Sequence, residues 1–432
     1  MASESLPVGR RAGPDLLSTG RQSQGRDVPE FPTGQDLIRG YGAHLSPSRL
    51  STAMHWLRDG GPAPRPISVH VDLTFRCTAR CVHCAQWTWR ERPEMDLDKV
   101  DHLVKMLRRW DVSSVTVGGG NPLLHQHLNH FLRSLHESGI SVGLITEGGV
   151  KLDPTLITAL DENLSWIRFS LDGATAEVHD RIRGTSGLFD LTTDAIRDLC
   201  ARKLQLKVAI NCVIQRRNLH QLAEMVSLSR VLGVDVLMFK IPHGHDPRGR
   251  YVPSAEQWQQ VREWVQNELI AGRSTKPSTN LATLSRLLND DLELEDLAAG
   301  RPVRQYYIAQ SARCFVPLFF LVIDADGNVF PCDYLQADTR PDSQEYHNMR
   351  SNFVVGNVFT HGDSVLDRLG TVFREQVHFL PGHGYEECGS CTRFFELNTF
   401  LSGLTAEQIE SGKDSNISNM STVRDTVETQ FL

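Results

Sequence analysis

Between Ile67 and Ile241 the chain alternates between two apolar periods, and that alternation constrains its fold more than any other feature. Strand-like segments occur at ISVHVDLT (67–74), SSVTV (113–117), SVGLIT (141–146), WIRFSL (166–171), LKVAINCVI (206–214) and VDVLMFKI (234–241). Helix-like segments separate them. Leu97, Val100, Leu103, Val104 and Leu107 share one helical face, as do Leu128, Phe131, Leu132 and Leu135, which Gly139 stops. Asp153-Pro154 supplies an N-cap and a first-turn proline for another helix. Such alternation implies a parallel sheet with right-handed crossovers. Six units suit an α/β partial (βα)6 barrel, with reactive groups at the C-terminal ends of its strands.

The 432 residues are too many for one small core. The barrel is expected at 65–245. A mostly irregular tail with a short helix at 46–59 occupies 1–64, and a charged helical connection 246–305. A second, smaller domain is expected at 306–400. Its hairpin FVPLFFLVIDADGNVFPCDYL turns at Asp326-Gly327-Asn328. A polar tail ends the chain at 401–432. A net charge of -7 argues against nucleic acid as the main partner. No apolar run is long enough to span a bilayer, and no secretory signal is visible, so the cytoplasm is the expected compartment.

Nine cysteines in a reducing compartment are not expected to form a disulfide framework. Cys77, Cys81 and Cys84 crowd one loop directly after the first strand. Thiolates this close bind a metal or a cluster, and three ligands leave a fourth position open for a small molecule. Cys314, Cys332, Cys388 and Cys391 form a closed set of four, for which zinc and [4Fe-4S] both fit by spacing alone. Cys200 and Cys212 stand singly.

Cys-x3-Cys-x2-Cys after the first strand of a βα barrel resembles the radical S-adenosylmethionine (SAM) enzymes. Gly118-Gly119-Gly120-Asn121-Pro122 is similar to that family's Gly-Gly-Glu-Pro motif, with Asn121 where glutamate is usual. Phe169-Ser170-Leu171-Asp172-Gly173 and His179-Asp180-Arg181-Ile182-Arg183-Gly184 resemble segments lining its SAM site. The resemblance implies a [4Fe-4S] cluster on Cys77, Cys81 and Cys84. It also implies SAM on the open iron, cleaved to a 5′-deoxyadenosyl radical that abstracts substrate hydrogen. Gly119, Gly120, Asn121, Ser170, Asp172, Arg183 and Asn211 become candidates for SAM contacts. The cysteine quartet resembles the SPASM extension in its shorter twitch form, which implies a second, auxiliary [4Fe-4S] cluster.

These features favour net oxidation of a small natural-product intermediate, with the auxiliary cluster taking an electron. Peptide maturation and epimerisation are the alternatives. Epimerisation needs a hydrogen donor, for which Cys212 is a candidate, although such a cysteine is more often a core residue. His243 and His245 are candidate bases on a polar loop. Trp87 and Trp89 follow the cluster loop, where shielding, stacking on adenine and plain packing all fit. A flavodoxin or ferredoxin is the reductant the family implies. A zinc-stabilised scaffold without redox chemistry is the rival from another class.

Overall fold

The computed structural model describes residues 63–84, 86–202, 204–242, 251–271, 277–291, 293–299, 318–331 and 354–375, with a few isolated residues between 49 and 56. One sheet runs through it. Strands β1 (Ser68–Thr74), β2 (Ser114–Gly119), β3 (Ser141–Thr146), β4 (Trp166–Ser170), β5 (Lys207–Val213) and β6 (Val236–Lys240) pair in sequence order, all parallel. Five fall within the segments expected from the apolar pattern, and β2 runs two residues past its segment, to Gly119.

Helices α1 (Leu97–Arg109), α2 (Leu128–His136), α3 (Pro154–Asn163), α4 (Ala176–Arg183), α5 (Leu188–Ala201) and α6 (Leu222–Leu232) connect the strands. Their starts are written in the sequence. Asp96 accepts the amide of Lys99, and Asp153 that of Leu156 ahead of Pro154. Val69, Val71 and Leu73 of β1 point to the helix side, with Val100, Leu103 and Leu107 of α1 in the same core. The opposite face of the sheet holds a small apolar group, Trp166, Ala209, Val236 and Met238. Gly143 on β3 is forced by this packing, because a Cβ there would meet the Trp166 ring at 2.0 Å.

Two features depart from the sequence-based expectation. The charged connection contains a short strand, β7 (Ser278–Thr279), parallel to β6, besides α7 (Ala255–Ile270). Asn280 then prolongs the pairing with its side chain, accepting from Phe239 N at 2.8 Å and donating to Phe239 O at 2.8 Å. The C-terminal hairpin, β8 (Phe320–Ile323) and β9 (Asn328–Phe330), turns where expected but does not stand apart. β8 pairs parallel with β1, and β10 (Gly356–Asn357) closes the far edge antiparallel to β9. All four residues of β8 are buried, so the hairpin needs the barrel sheet as its partner. Among the described residues no helix is long and apolar enough to cross a membrane.

Candidate functional site

Cys77, Cys81 and Cys84 are free thiols lining one cavity of about 370 Å³ beyond the C-terminal ends of the strands. That volume lies in the range of small-molecule sites. The cysteine loop has no regular structure and is held by its neighbours. Arg80 N donates to Arg183 O at 2.8 Å and Val82 N to Ile182 O at 3.1 Å, tying the loop to the end of α4. Gly184, at φ +67°, lets the chain pass the Arg80 carbonyl, which a Cβ would approach to 2.4 Å. Ala79, Cys81 and Leu188 pack together under the loop. Burial pushes the Cys77 thiol up to about 12, and burial likewise raises Cys81, against the pull of Arg183. Unliganded, both stay protonated, and a bound metal centre would displace the protons.

Gly119 and Gly120 also line the cavity. Gly120 N donates to Thr74 O at 2.8 Å and Asn121 N to Arg76 O at 2.6 Å, locking the glycine loop onto the start of the cysteine loop. Asn121 itself is fully buried and does not line the cavity. Its Oδ1 accepts from Leu123 N and Thr146 Oγ1, and its Nδ2 donates to Glu147 Oε1 at 2.8 Å. Glu147, just after β3, reaches the cavity wall. Sequence reasoning passed over it. The available signal was an acidic residue followed by Gly148-Gly149 directly after a strand, in the same position as the other strand-end motifs.

Ser170 and Arg183 line the cavity, whereas Asp172 lies behind it. The Asp172 carboxylate faces Arg183 Nη2 at 2.8 Å, and the two side chains are 0% and 8% exposed. Asp172 Oδ1 also accepts from Val213 N at 2.8 Å. Asp172, expected as a SAM contact, is thus bonded to Arg183 and Val213 instead. Burial alone would lower the Arg183 pKa, but Asp172 outweighs it and raises it. Arg183 Nη1 also lies 3.5 Å from Cys81 Sγ. His179, fully buried, accepts the Asp172 amide on Nδ1 at 3.1 Å, and burial lowers it to about 4. Asn211 stands in register with Ser170, and its buried Oδ1 has no hydrogen-bond partner among the described residues. His83, between Cys81 and Cys84, lies 2.9 Å from Gln215 Nε2, and burial holds it neutral, down to about 4.

Cys212 does not reach the cavity. It is fully buried in the main core on the helix side of β5, away from the cavity, where it packs, and burial raises its pKa. Trp87 lines the cavity, while Trp89 packs edge-on against Phe75 at 5.3 Å. His243, His245, Cys314, Cys332, Cys388 and Cys391 lie outside the described residues.

The donor set suits an iron–sulfur cluster with a polar ligand: three thiols at one wall, an orphaned amide oxygen, a buried carboxylate and a charge-locked guanidinium. Residues 71–228 match the radical SAM superfamily model, and 314–392, beginning at Cys314 and including Cys391, match the iron–sulfur cluster-binding SPASM domain model. The chain belongs to the radical SAM enzymes. Within them it is a member of the SPASM group, whose cofactors are SAM and [4Fe-4S] clusters.

It is 27% identical over 340 residues to Mycofactocin maturase MftC of Mycobacterium tuberculosis, covering 76% of each chain. It is 26% identical over 278 residues to the AdoMet-dependent heme synthase of Methanosarcina barkeri, covering 63% of this chain and 78% of that one. A PqqA peptide cyclase of Rhodopseudomonas palustris is 30% identical over 174 residues, 40% of this chain and 46% of the cyclase. Among solved structures, anSMEcpe with bound AdoMet and Cp18Cys peptide superposes with a TM-score of 0.52 at 16% identity, over 77% of this chain and 88% of that one, and shares the fold.

Proposed function

We propose that this chain is a radical SAM peptide maturase that abstracts hydrogen from a peptide substrate. Cys77, Cys81 and Cys84 would hold the cluster that engages SAM, and Cys314, Cys332, Cys388 and Cys391 a single auxiliary [4Fe-4S] cluster. The core would span 65–245 and the auxiliary part 306–400. When bound, these groups supply reductive cleavage of SAM to a hydrogen-abstracting fragment and a sink for an electron from the substrate.

The chain's own residues do the rest. The observation that carries the reading is the convergence of the three thiols with Gly119, Ser170 and Arg183 on one cavity. Arg183, kept charged by Asp172, suits a carboxylate. Ser170 and Asn211, side by side on β4 and β5, offer a hydroxyl and an amide to a sugar or an amino acid. His83 is held neutral and adds no positive charge beside the thiols. The peptide class rests on the relatives named as Mycofactocin maturase and PqqA peptide cyclase.

Net oxidation of a small metabolite is the second reading, favoured by the heme synthase relative, whose product is not a peptide. A reducing cytoplasm and a flavodoxin or ferredoxin donor belong to either. The test offers reduced, cluster-loaded protein and SAM to short peptides encoded beside its gene, and separately to small amino-alcohol metabolites. A mass change in a peptide is the expected result. A change only in a metabolite would overturn the peptide class.

A further inference from the structure

Glu147 places a buried carboxylate on the wall of the cavity. Its residue is 4% exposed, yet its carboxylate lies in no ion pair among the described residues. Its hydrogen bonds all come from neutral donors. Oε1 accepts from Thr78 Oγ1 at 2.6 Å and from Asn121 Nδ2 at 2.8 Å, and Oε2 from Gly149 N at 2.6 Å. Arg183, the buried cation nearby, is committed to Asp172. A carboxylate has about four acceptor positions, so one on Oε2 remains open. That position is the one a ligand in the cavity can fill.

The side chain is also held in place. Thr78 belongs to the cysteine loop, Asn121 to the glycine loop, and Gly149 to the turn after β3. Thr192 of α5 donates to the Glu147 carbonyl at 2.8 Å. Three elements thus fix the carboxylate and a fourth its backbone on the wall of the cavity that the cysteines line. A ligand that completes it brings a donor hydrogen, and positive charge strengthens that bond. SAM brings both, since its methionine end carries an amino group and its sulfur is a sulfonium. Of these two positive groups only the amino group carries hydrogens that can be donated to Oε2.

We infer that Glu147 is the acidic residue that receives the SAM amino group, with Asn121 and Thr78 as its positioning residues. This rests on reading the cavity as the SAM site. The carboxylate therefore sits at the end of β3 rather than in the glycine loop, whose Asn121 is neutral and turned away from the cavity.

The experiment measures SAM dissociation constants by equilibrium dialysis on anaerobic, cluster-loaded full-length protein, for SAM and for its analogue lacking the α-amino group. Wild type is expected to bind SAM more tightly than the analogue by roughly 10- to 100-fold, the scale of one hydrogen bond to a buried charge. Glu147→Gln is expected to lose that discrimination, weakening SAM while leaving the analogue unchanged. The exchange variant Asn121→Glu/Glu147→Asn keeps one carboxylate and one amide in contact and is expected to regain part of it. This covers the case in which Glu147→Gln fails to fold for want of an acceptor facing Gly149. Equal discrimination in wild type and Glu147→Gln, or equal weakening of both ligands, would overturn the assignment while leaving the cavity reading intact. Wild type that loads iron at the cysteines but binds neither ligand would overturn both.

Discussion

Asp172 and Arg183 show how the site holds a cation in place with a carboxylate behind the cavity wall. Both are buried and each is the other's counter-ion. Removing one leaves an unpaired charge in the interior, a loss of about 3–5 kcal/mol. Asp172→Asn is expected to lower the denaturation midpoint accordingly, and Asp172→Asn/Arg183→Gln to recover part of the loss. Additive losses in the double variant would show that the pair is not coupled. His179 reports on the same corner through pH. Its folded value is about 4 against an ordinary 6.5, so the unfolded chain takes up the proton first. Its stabilisation is complete above 6.5 and declines as pH falls towards 4, by about 1.4 kcal/mol per unit. Unfolding measured from pH 7 to 5.5 should show the slope building up, with His83 adding a like share, and His179→Asn should reduce it without abolishing it.

Strand ends and the turns that follow them build this site. The three-cysteine loop, the glycine loop and the Asp172–Gly184 segment were legible in the sequence because residue types and spacing announce them. Their contacts were not. His179–Gly184 was expected to line the ligand, and Arg183 does line the cavity, yet two carbonyls of the segment hold the cysteine loop through Arg80 and Val82. Glu147 was missed because one acid after a strand means nothing until Asn121 and Thr78 are brought beside it by pairing between β1, β2 and β3. The glycine loop gives a test at this scale. A Cβ at Gly120 would sit 2.2 Å from the Arg76 carbonyl, one residue before Cys77. Gly120→Ala should displace the cysteine loop at a cost of about 1–3 kcal/mol and lower iron loading at the triplet. Full iron content with an unchanged melting temperature would show that the two loops are not mechanically joined.

At the scale of the molecule, the barrel sheet and the C-terminal hairpin are continuous. Each hairpin strand was readable from apolar residues and the Asp326-Gly327-Asn328 turn. The parallel pairing of β8 with β1 was not, because a buried strand carries no local mark of its neighbour. The shared sheet gives the SPASM segment a rigid attachment beside β1, the strand that leads into Cys77. Arg92, after the cysteine loop, also bridges to Asp326 at the hairpin turn. The central claim is that Cys77, Cys81 and Cys84 form a SAM-cleaving centre distinct from the cysteine quartet. The measurement is iron content and 5′-deoxyadenosine formation in anaerobic, reduced protein, for wild type and for the variant with all three cysteines changed to alanine. About eight irons with 5′-deoxyadenosine in wild type are expected, and about four irons with none in the variant, from one four-iron cluster per cysteine set. Undiminished 5′-deoxyadenosine in the variant, or zinc in place of iron in wild type, would contradict the account.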